Sequence, residues 1–132
     1  MRKILSCLVL ISVMCSCAPP LTPEQQAEQQ AMMEKANRPI TCKAGKDCEK
    51  KWSRAIQWVV QNSSYKIQTQ SDNLIQTYNA INDDTSSGFV ITKYADGNHY
   101  VIDFKSACDN WIGCIPTSDV LKLRFMDFIQ TK

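Results

Sequence analysis

The pattern of hydrophobic and polar residues changes period along the chain, and each change predicts a different element. Between positions 48 and 62 apolar residues recur at spacings of three and four, which predicts a helix with one apolar face. Asp47 is a suitable N-cap for this helix, and Trp58 falls outside its apolar stripe. The stripe itself contains Trp52, Ala55, Ile56, Val59 and Val60.

Four later segments alternate between apolar and polar residues, as strands with one buried face do. They are predicted at 65–69, 74–78, 89–94 and 99–105, and an Asp-Gly turn signal at Asp96-Gly97 joins the last two. A final helix follows Pro116, with an apolar face of Val120, Leu121, Leu123, Phe125, Phe128 and Ile129. This order predicts an α+β fold: helix, four-stranded antiparallel sheet, helix, with both helices on one face of the sheet.

The first residues resemble a bacterial lipoprotein signal. Basic Arg2 and Lys3 precede an apolar run that has the length of a signal peptide and is too short to span a bilayer. The lipobox-like sequence Met14-Cys15-Ser16-Cys17 follows, with methionine in the usual leucine position. We expect Cys17 to be lipidated, and Ala18 after it favours the periplasmic face of the outer membrane. An uncleaved anchor or an ordinary signal peptide is the alternative.

This assignment divides the chain into three parts. Residues 1–16 are the expected signal peptide, 17–41 the lipidated cysteine and a Gln/Pro-rich tether, and 42–132 a disulfide-stapled α+β domain. Within the tether, the capping-box sequence Thr22-Pro23-Glu24-Gln25 favours a helix start, and Arg38-Pro39 ends any helix. The segment between them is expected to act as a semi-rigid or frayed tether, or alternatively as a partner-binding helix with paired methionines.

Charge excludes nucleic acid as a partner. Of 15 Lys and Arg residues, Arg2 and Lys3 lie in the segment expected to be removed, which leaves 13 basic against 13 acidic residues. A neutral chain with scattered charges lacks the basic surface that phosphate backbones require.

Four of the seven cysteines remain for the folded domain once Cys7, Cys15 and Cys17 are assigned to the signal and the lipid. An even number in an oxidising compartment predicts disulfides. We favour the two local pairs, and a crossed pairing stays open; zinc would require shorter spacings, so no metal or other cofactor is expected. The predicted pairs are Cys42–Cys48 and Cys108–Cys114.

From Asp47 onward the chain resembles a set of small proteobacterial secreted or lipidated proteins that have no assigned activity. The resemblance covers most of residues 42–130; it implies a domain type, supports the disulfides and implies no reaction. The residues that carry it include Asp47, Cys48, Trp52, Arg54, Ala55, Trp58, Val59, Ser63, Ile67, Gln68, Thr69, Ser71, Asp72, Ile75, Thr77, Ile102, Phe104, Cys108, Gly113, Cys114 and Pro116.

Catalytic sets are missing from the sequence, and we expect no enzyme. The single histidine, His99, lies roughly 13 Å along a strand from Asp103, too far for a dyad. Adjacent Asp83 and Asp84 suit a turn rather than an opposed acid and base. His99 beside the Asp-Gly turn is expected to be a solvated hairpin residue.

Trp111 and Ile112 are the candidate partner-binding residues, because they lie in the short loop that a Cys108–Cys114 disulfide would order. The alternative is that Trp111 folds back over the end of the sheet. The expected function is therefore a structural or protein-binding module of the cell envelope, attached to the membrane by lipid and contacting an envelope protein. The alternative function is an inhibitor, immunity or exclusion lipoprotein that blocks a toxin, a lysozyme or a conjugation apparatus. A small-ligand carrier would require an enclosed apolar cavity.

Overall fold

The computed structural model describes residues 20–81 and 83–131, so the expected signal peptide and Cys17 lie outside the described residues. The fold is α+β, with three helices and a five-stranded antiparallel sheet. In chain order the elements are α1 (Pro23–Asn37), β1 (Ile40–Cys42), α2 (Lys46–Asn62), β2 (Ile67–Gln70), β3 (Leu74–Thr77), β4 (Asp84–Asp96), β5 (His99–Asp109) and α3 (Ser118–Gln130).

The sheet has the order β1-β5-β4-β3-β2, so the prediction of four strands was wrong by one. The extra strand, β1, places Ile40 opposite Ile102 and Cys42 opposite Tyr100. Three residues directly after a proline are too short a segment to show an alternating pattern, which is why the sequence did not reveal them. Ile40 is buried, and the folded domain therefore includes residues that the sequence analysis assigned to the tether.

Strands β4 and β5 form a long hairpin whose turn contains Gly97 at a φ of 63°. The structure thus confirms the hairpin turn predicted at Asp96-Gly97. Both strands extend further than predicted, because Asp84 pairs with Asp109 and Gly88 with Ala107 across a register shift. The sequence predicts a polar loop over 79–87, because those residues show no alternation of apolar and polar side chains.

Both domain helices pack on the same face of the sheet. Trp58 from α2 and Phe125 from α3 each contact the ring of Phe104 in β5, with ring centroids 5.6 and 4.8 Å apart. Trp58 also lies 5.2 Å from Phe89 and 5.3 Å from Phe125, at the centre of an aromatic cluster. The remaining core residues on this face include Ile75, Ile91, Ile102, Leu121, Met126 and Ile129.

The apolar face of α2 is rotated relative to the prediction. Trp58 is only 2% exposed, whereas Val60, which was placed on the stripe, is 67% exposed. At 3.6 residues per turn, Trp58 lies about 60° from the buried Ala55 and Val60 about 140° from it. The prediction that Trp58 falls off the stripe was therefore wrong, and so was the inclusion of Val60.

The start of α2 also differs from the prediction. Gly45, with a φ of 88°, occupies the N-cap position, and no side chain caps the helix. Asp47 lies inside the first turn, where its carboxylate accepts a hydrogen bond from the backbone N–H of Lys43 at 2.8 Å and a salt bridge from Lys51 at 3.3 Å. The N–H of Lys43 stabilises the charged form, and it is the main cause of a lowered pKa of Asp47.

Helix α1 begins with the predicted capping box: the Thr22 hydroxyl accepts from the backbone N–H of Gln25 at 3.2 Å, and the Gln25 side chain accepts from that of Thr22 at 3.0 Å. Its last turn contacts the domain. Ala36 is buried, and Lys35 forms a 3.0 Å salt bridge with Asp127 in the last turn of α3. The end of α1 is therefore joined to the folded domain.

Candidate functional site

Two connecting segments meet at the end of the sheet furthest from the β4–β5 turn. They are residues 78–85, which connect β3 to β4 and include the first two residues of β4, and residues 109–117, which run from the last residue of β5 to α3. Three hydrogen bonds join them: Asp83 N–H to Asp109 O at 3.0 Å, Asn110 Nδ2 to Asp83 O at 2.8 Å, and Ile115 N–H to Thr85 O at 3.0 Å. The two segments thus form one surface.

The second segment is also held from within. A disulfide joins Cys108 to Cys114, whose Cα atoms are 5.5 Å apart. Inside the loop that it closes, the Asn110 side chain accepts from Ile112 N–H at 2.8 Å, and Gly113 N–H donates to Asn110 O at 3.3 Å. Gly113 has a φ of 98°, a conformation that other residues rarely adopt. The loop therefore has little conformational freedom left to lose on binding.

Four apolar side chains project from this surface into solvent, and we call them the apolar tip. Trp111 is 88% exposed, Ile112 65%, and Ile81 and Ile115 67% each. Of the two orientations that the sequence left open for Trp111, the structure has the exposed one. The sequence did not reveal Ile81 and Ile115. Ile115 lies just outside the disulfide-closed loop, and Ile81 joins this surface only through the contact between the two segments.

Tyr65 supports the first segment. Its hydroxyl donates to Asp84 Oδ2 at 2.6 Å, and Asp84 Oδ1 accepts from the backbone N–H of Ser86 at 2.8 Å. The Tyr65 hydroxyl stabilises the carboxylate, so the pKa of Asp84 is lowered, and the same bond raises the pKa of Tyr65. Asp84 is thus held in place as an ionised acceptor rather than presented as an acid.

A shallow depression lies beside the apolar tip, on the sheet face opposite the helices. It has a volume of about 230 Å³ and is lined in part by Tyr78, Gly88, Val90, Lys105 and Ala107. At Gly88 an added Cβ would lie 3.0 Å from the carbonyl oxygen of Tyr78, so any side chain at this position would require the neighbouring backbone to shift. The depression opens to solvent and is not enclosed in the core.

The other disulfide, Cys42–Cys48, lies in the core rather than at this surface. Both of its cysteines are buried, and their Cα atoms are 5.0 Å apart. It links β1 to the first turn of α2. The two disulfides are the local pairs that the sequence analysis favoured.

His99 and Asp103 are not brought together. His99 lies at the β4–β5 turn, where its Nε2 is 3.6 Å from Asp96 Oδ2, while Asp103 forms a salt bridge with Lys105 at 3.7 Å. In residues 20–81 and 83–131 no group of three His, Cys, Asp or Glu side chains is arranged to hold a metal ion. Across the same ranges, no helix has the length and hydropathy needed to cross a bilayer.

Comparison of the chain with protein-family models, with curated proteins and with solved structures gave no match. The surface formed by residues 78–85 and 109–117 is therefore interpreted from its own geometry and chemistry.

Proposed function

We propose that this chain is an outer-membrane lipoprotein, attached at Cys17 and facing the periplasm, whose folded domain binds another envelope protein through the apolar tip. The observation that carries the proposal is that Trp111 and three isoleucines are exposed on two segments that hydrogen bonds join. Among the described residues Trp111 is 88% exposed, so its ring adds little to the core and exposes apolar area that lowers solubility, which a binding role explains.

The geometry of the tip suits an interface centre. Large aromatic residues dominate binding energies where a partner can surround them and exclude water. Ordering a loop on binding costs affinity, and here the disulfide and the Asn110 hydrogen bonds have already ordered it. A stable interface buries about 800 Å² on each partner, so the residues around the tip, including the neighbouring depression, belong to the contact area.

The membrane part of the proposal rests on the N-terminal sequence. Each buried lipid CH₂ contributes about 0.8 kcal/mol, so one acyl chain anchors weakly and several anchor stably. Cys17→Ser removes the acceptor thiol. The expected result is loss of labelling by radioactive palmitate and loss of the protein from the outer-membrane fraction. Palmitate labelling that persists in this variant would overturn the assignment of Cys17.

The binding part is tested with the full-length chain in its native membrane. A photoreactive benzoylphenylalanine replaces Ile115, and the adduct formed on illumination is quantified. Combining this with Trp111→Ser and Ile112→Ser is expected to abolish the protein adduct. The control is Val60→Ser, at an apolar residue on α2 that is 67% exposed, close to the 65% of Ile112; it should leave the adduct unchanged. A thermal melt close to the parent's shows that the tip variant is folded. An adduct that survives the tip substitutions refutes the proposal.

One observation favours an inhibitor or immunity protein as the second candidate. The tip is a short disulfide-closed loop with an exposed Trp at its centre, a shape that fits a concave enzyme cleft. In that case the adduct partner is a secreted or injected enzyme, and a gene for a toxin or conjugation apparatus adjoins the gene for this chain. A resident envelope protein as the partner favours the leading proposal.

A further inference from the structure

The two segments that carry the apolar tip have charge of only one sign. Residues 78–85 and 109–117 contain Asp83, Asp84 and Asp109 and no Lys or Arg, and Asp119 follows in the first turn of α3. The neighbouring depression includes Lys105, which forms a salt bridge with Asp103 at 3.7 Å. The chain without Arg2 and Lys3 is neutral, so this imbalance is local and is compensated elsewhere on the molecule. We call these four residues the acidic rim.

Three members of the acidic rim lie close together. Asp84 is paired with Asp109 across the β4–β5 ladder, and Asp83 N–H donates to Asp109 O at 3.0 Å. Asp83 and Asp109 are exposed, and the salt bridges among the described residues involve other carboxylates. The lowered pKa of Asp84 keeps that carboxylate charged down to more acidic pH. The apolar tip is thus bordered by uncompensated negative charge.

We propose that the partner of the apolar tip is a protein with an apolar hollow bordered by Lys or Arg side chains. This inference rests on the proposed binding function and adds the chemistry of the partner. The apolar side chains supply the contact that excludes water, and the acidic rim steers approach and selects against acidic surfaces. An anionic lipid surface is disfavoured for the same reason, because like charges would repel it.

The test uses the full-length lipidated chain with benzoylphenylalanine in place of Ile115. The rim variant combines Asp83→Asn and Asp109→Asn, substitutions that keep the backbone hydrogen bonds of both residues; Asn also suits the φ of 63° at position 83. The matched control, Asp72→Asn with Glu28→Gln, makes the same charge change at exposed positions on other parts of the molecule.

The rim variant is expected to lower the adduct yield roughly two- to tenfold in low-salt buffer, and high salt should remove most of this difference. The control variant should match the parent. Mass spectrometry of the adduct should recover a partner peptide that contains or adjoins Lys or Arg residues.

The outcomes separate the two proposals. If Trp111→Ser abolishes the adduct but neither the rim variant nor salt changes its yield, the basic-bordered hollow is refuted and the binding function stands. If Trp111→Ser leaves the adduct unchanged, the binding function fails, and the inference fails with it. An adduct formed with lipid alone overturns both.

Discussion

Replacing Trp58 tests the central packing feature of the domain, and Val60 on the same helix supplies the control. The Trp58 ring is 2% exposed and contacts Phe89, Phe104 and Phe125. Truncating a buried aromatic residue to alanine costs about 3–5 kcal/mol. Three aromatic contacts, each worth about 0.5–1.5 kcal/mol beyond area burial, place Trp58→Ala at the upper end, near 5 kcal/mol.

A loss of that size approaches the whole stability of a small domain, about 5–15 kcal/mol. Trp58→Phe therefore serves as the quantitative variant: it retains one ring and should cost about 2 kcal/mol. Val60→Ala removes an exposed β-branched residue from a helix and should change the free energy of unfolding by less than about 0.5 kcal/mol.

The assay is urea unfolding followed by far-UV circular dichroism, with the free energy extrapolated to water. The reasoning is refuted if Trp58→Phe and Val60→Ala lose equal stability, or if Val60→Ala is the more damaging change. Either result would mean that α2 buries the stripe expected from the sequence and not the one in the structure.

Three further predictions concern the surface around the apolar tip. Replacing both Cys108 and Cys114 with Ser opens a seven-residue loop and should lower the free energy of unfolding by about 2–2.5 kcal/mol in a urea titration. Tyr65→Phe should destabilise the protein at neutral pH, and the difference should shrink in acid, because the lowered pKa of Asp84 means that its contribution is lost as pH falls through the folded-state value. Gly88→Ala should cost about 1–3 kcal/mol in the same titration, since its Cβ would lie 3.0 Å from a backbone carbonyl oxygen.

Each of these has its own contrary result. Parent-like stability of the variant with both Cys108→Ser and Cys114→Ser would contradict the loop-entropy argument. A Tyr65→Phe deficit that stays constant as the pH falls below the pKa of an unfolded aspartate, about 3.9, and through the lower folded-state pKa of Asp84 would show that the Tyr65–Asp84 hydrogen bond is not the source. Unchanged stability of Gly88→Ala would mean that the backbone of residues 78–80 moves aside without a measurable cost.

Much of the fold follows from local pattern, and the exceptions have identifiable causes. The helix over 46–62 and the hairpin around Gly97 depend on spacing and turn chemistry within a few residues, so the sequence reveals them. Strand β1 depends on a partner sixty residues away: it pairs Ile40 with Ile102, and nothing nearby in the chain marks it. The N-cap at Gly45 was missed because Asp47 is equally plausible from sequence and instead binds Lys43 N–H.

The candidate site was only partly predictable for a similar reason. The close spacing of Cys108 and Cys114 marks a short loop and directs attention to Trp111 and Ile112. Whether Trp111 faces solvent depends on the packing of the whole sheet end. Ile81 shares that surface only because Asp83 pairs with Asp109 and Ile115 with Thr85, and such non-local bonds leave no trace in periodicity.

Helix α1 is attached to the C-terminal end of α3. Under the proposed attachment at Cys17, this contact limits how far from the bilayer the apolar tip could lie. The 15-residue α1 is about 22 Å long, and the stretch from 17 to 22 adds at most about 18 Å. Lys35 forms its salt bridge with the last turn of α3, whereas the apolar tip precedes the first turn. About 14 Å of helix separates these two turns. Under the proposed attachment at Cys17, Lys35 would lie at most about 40 Å from the lipid anchor, and the apolar tip would lie beyond it at the opposite end of α3.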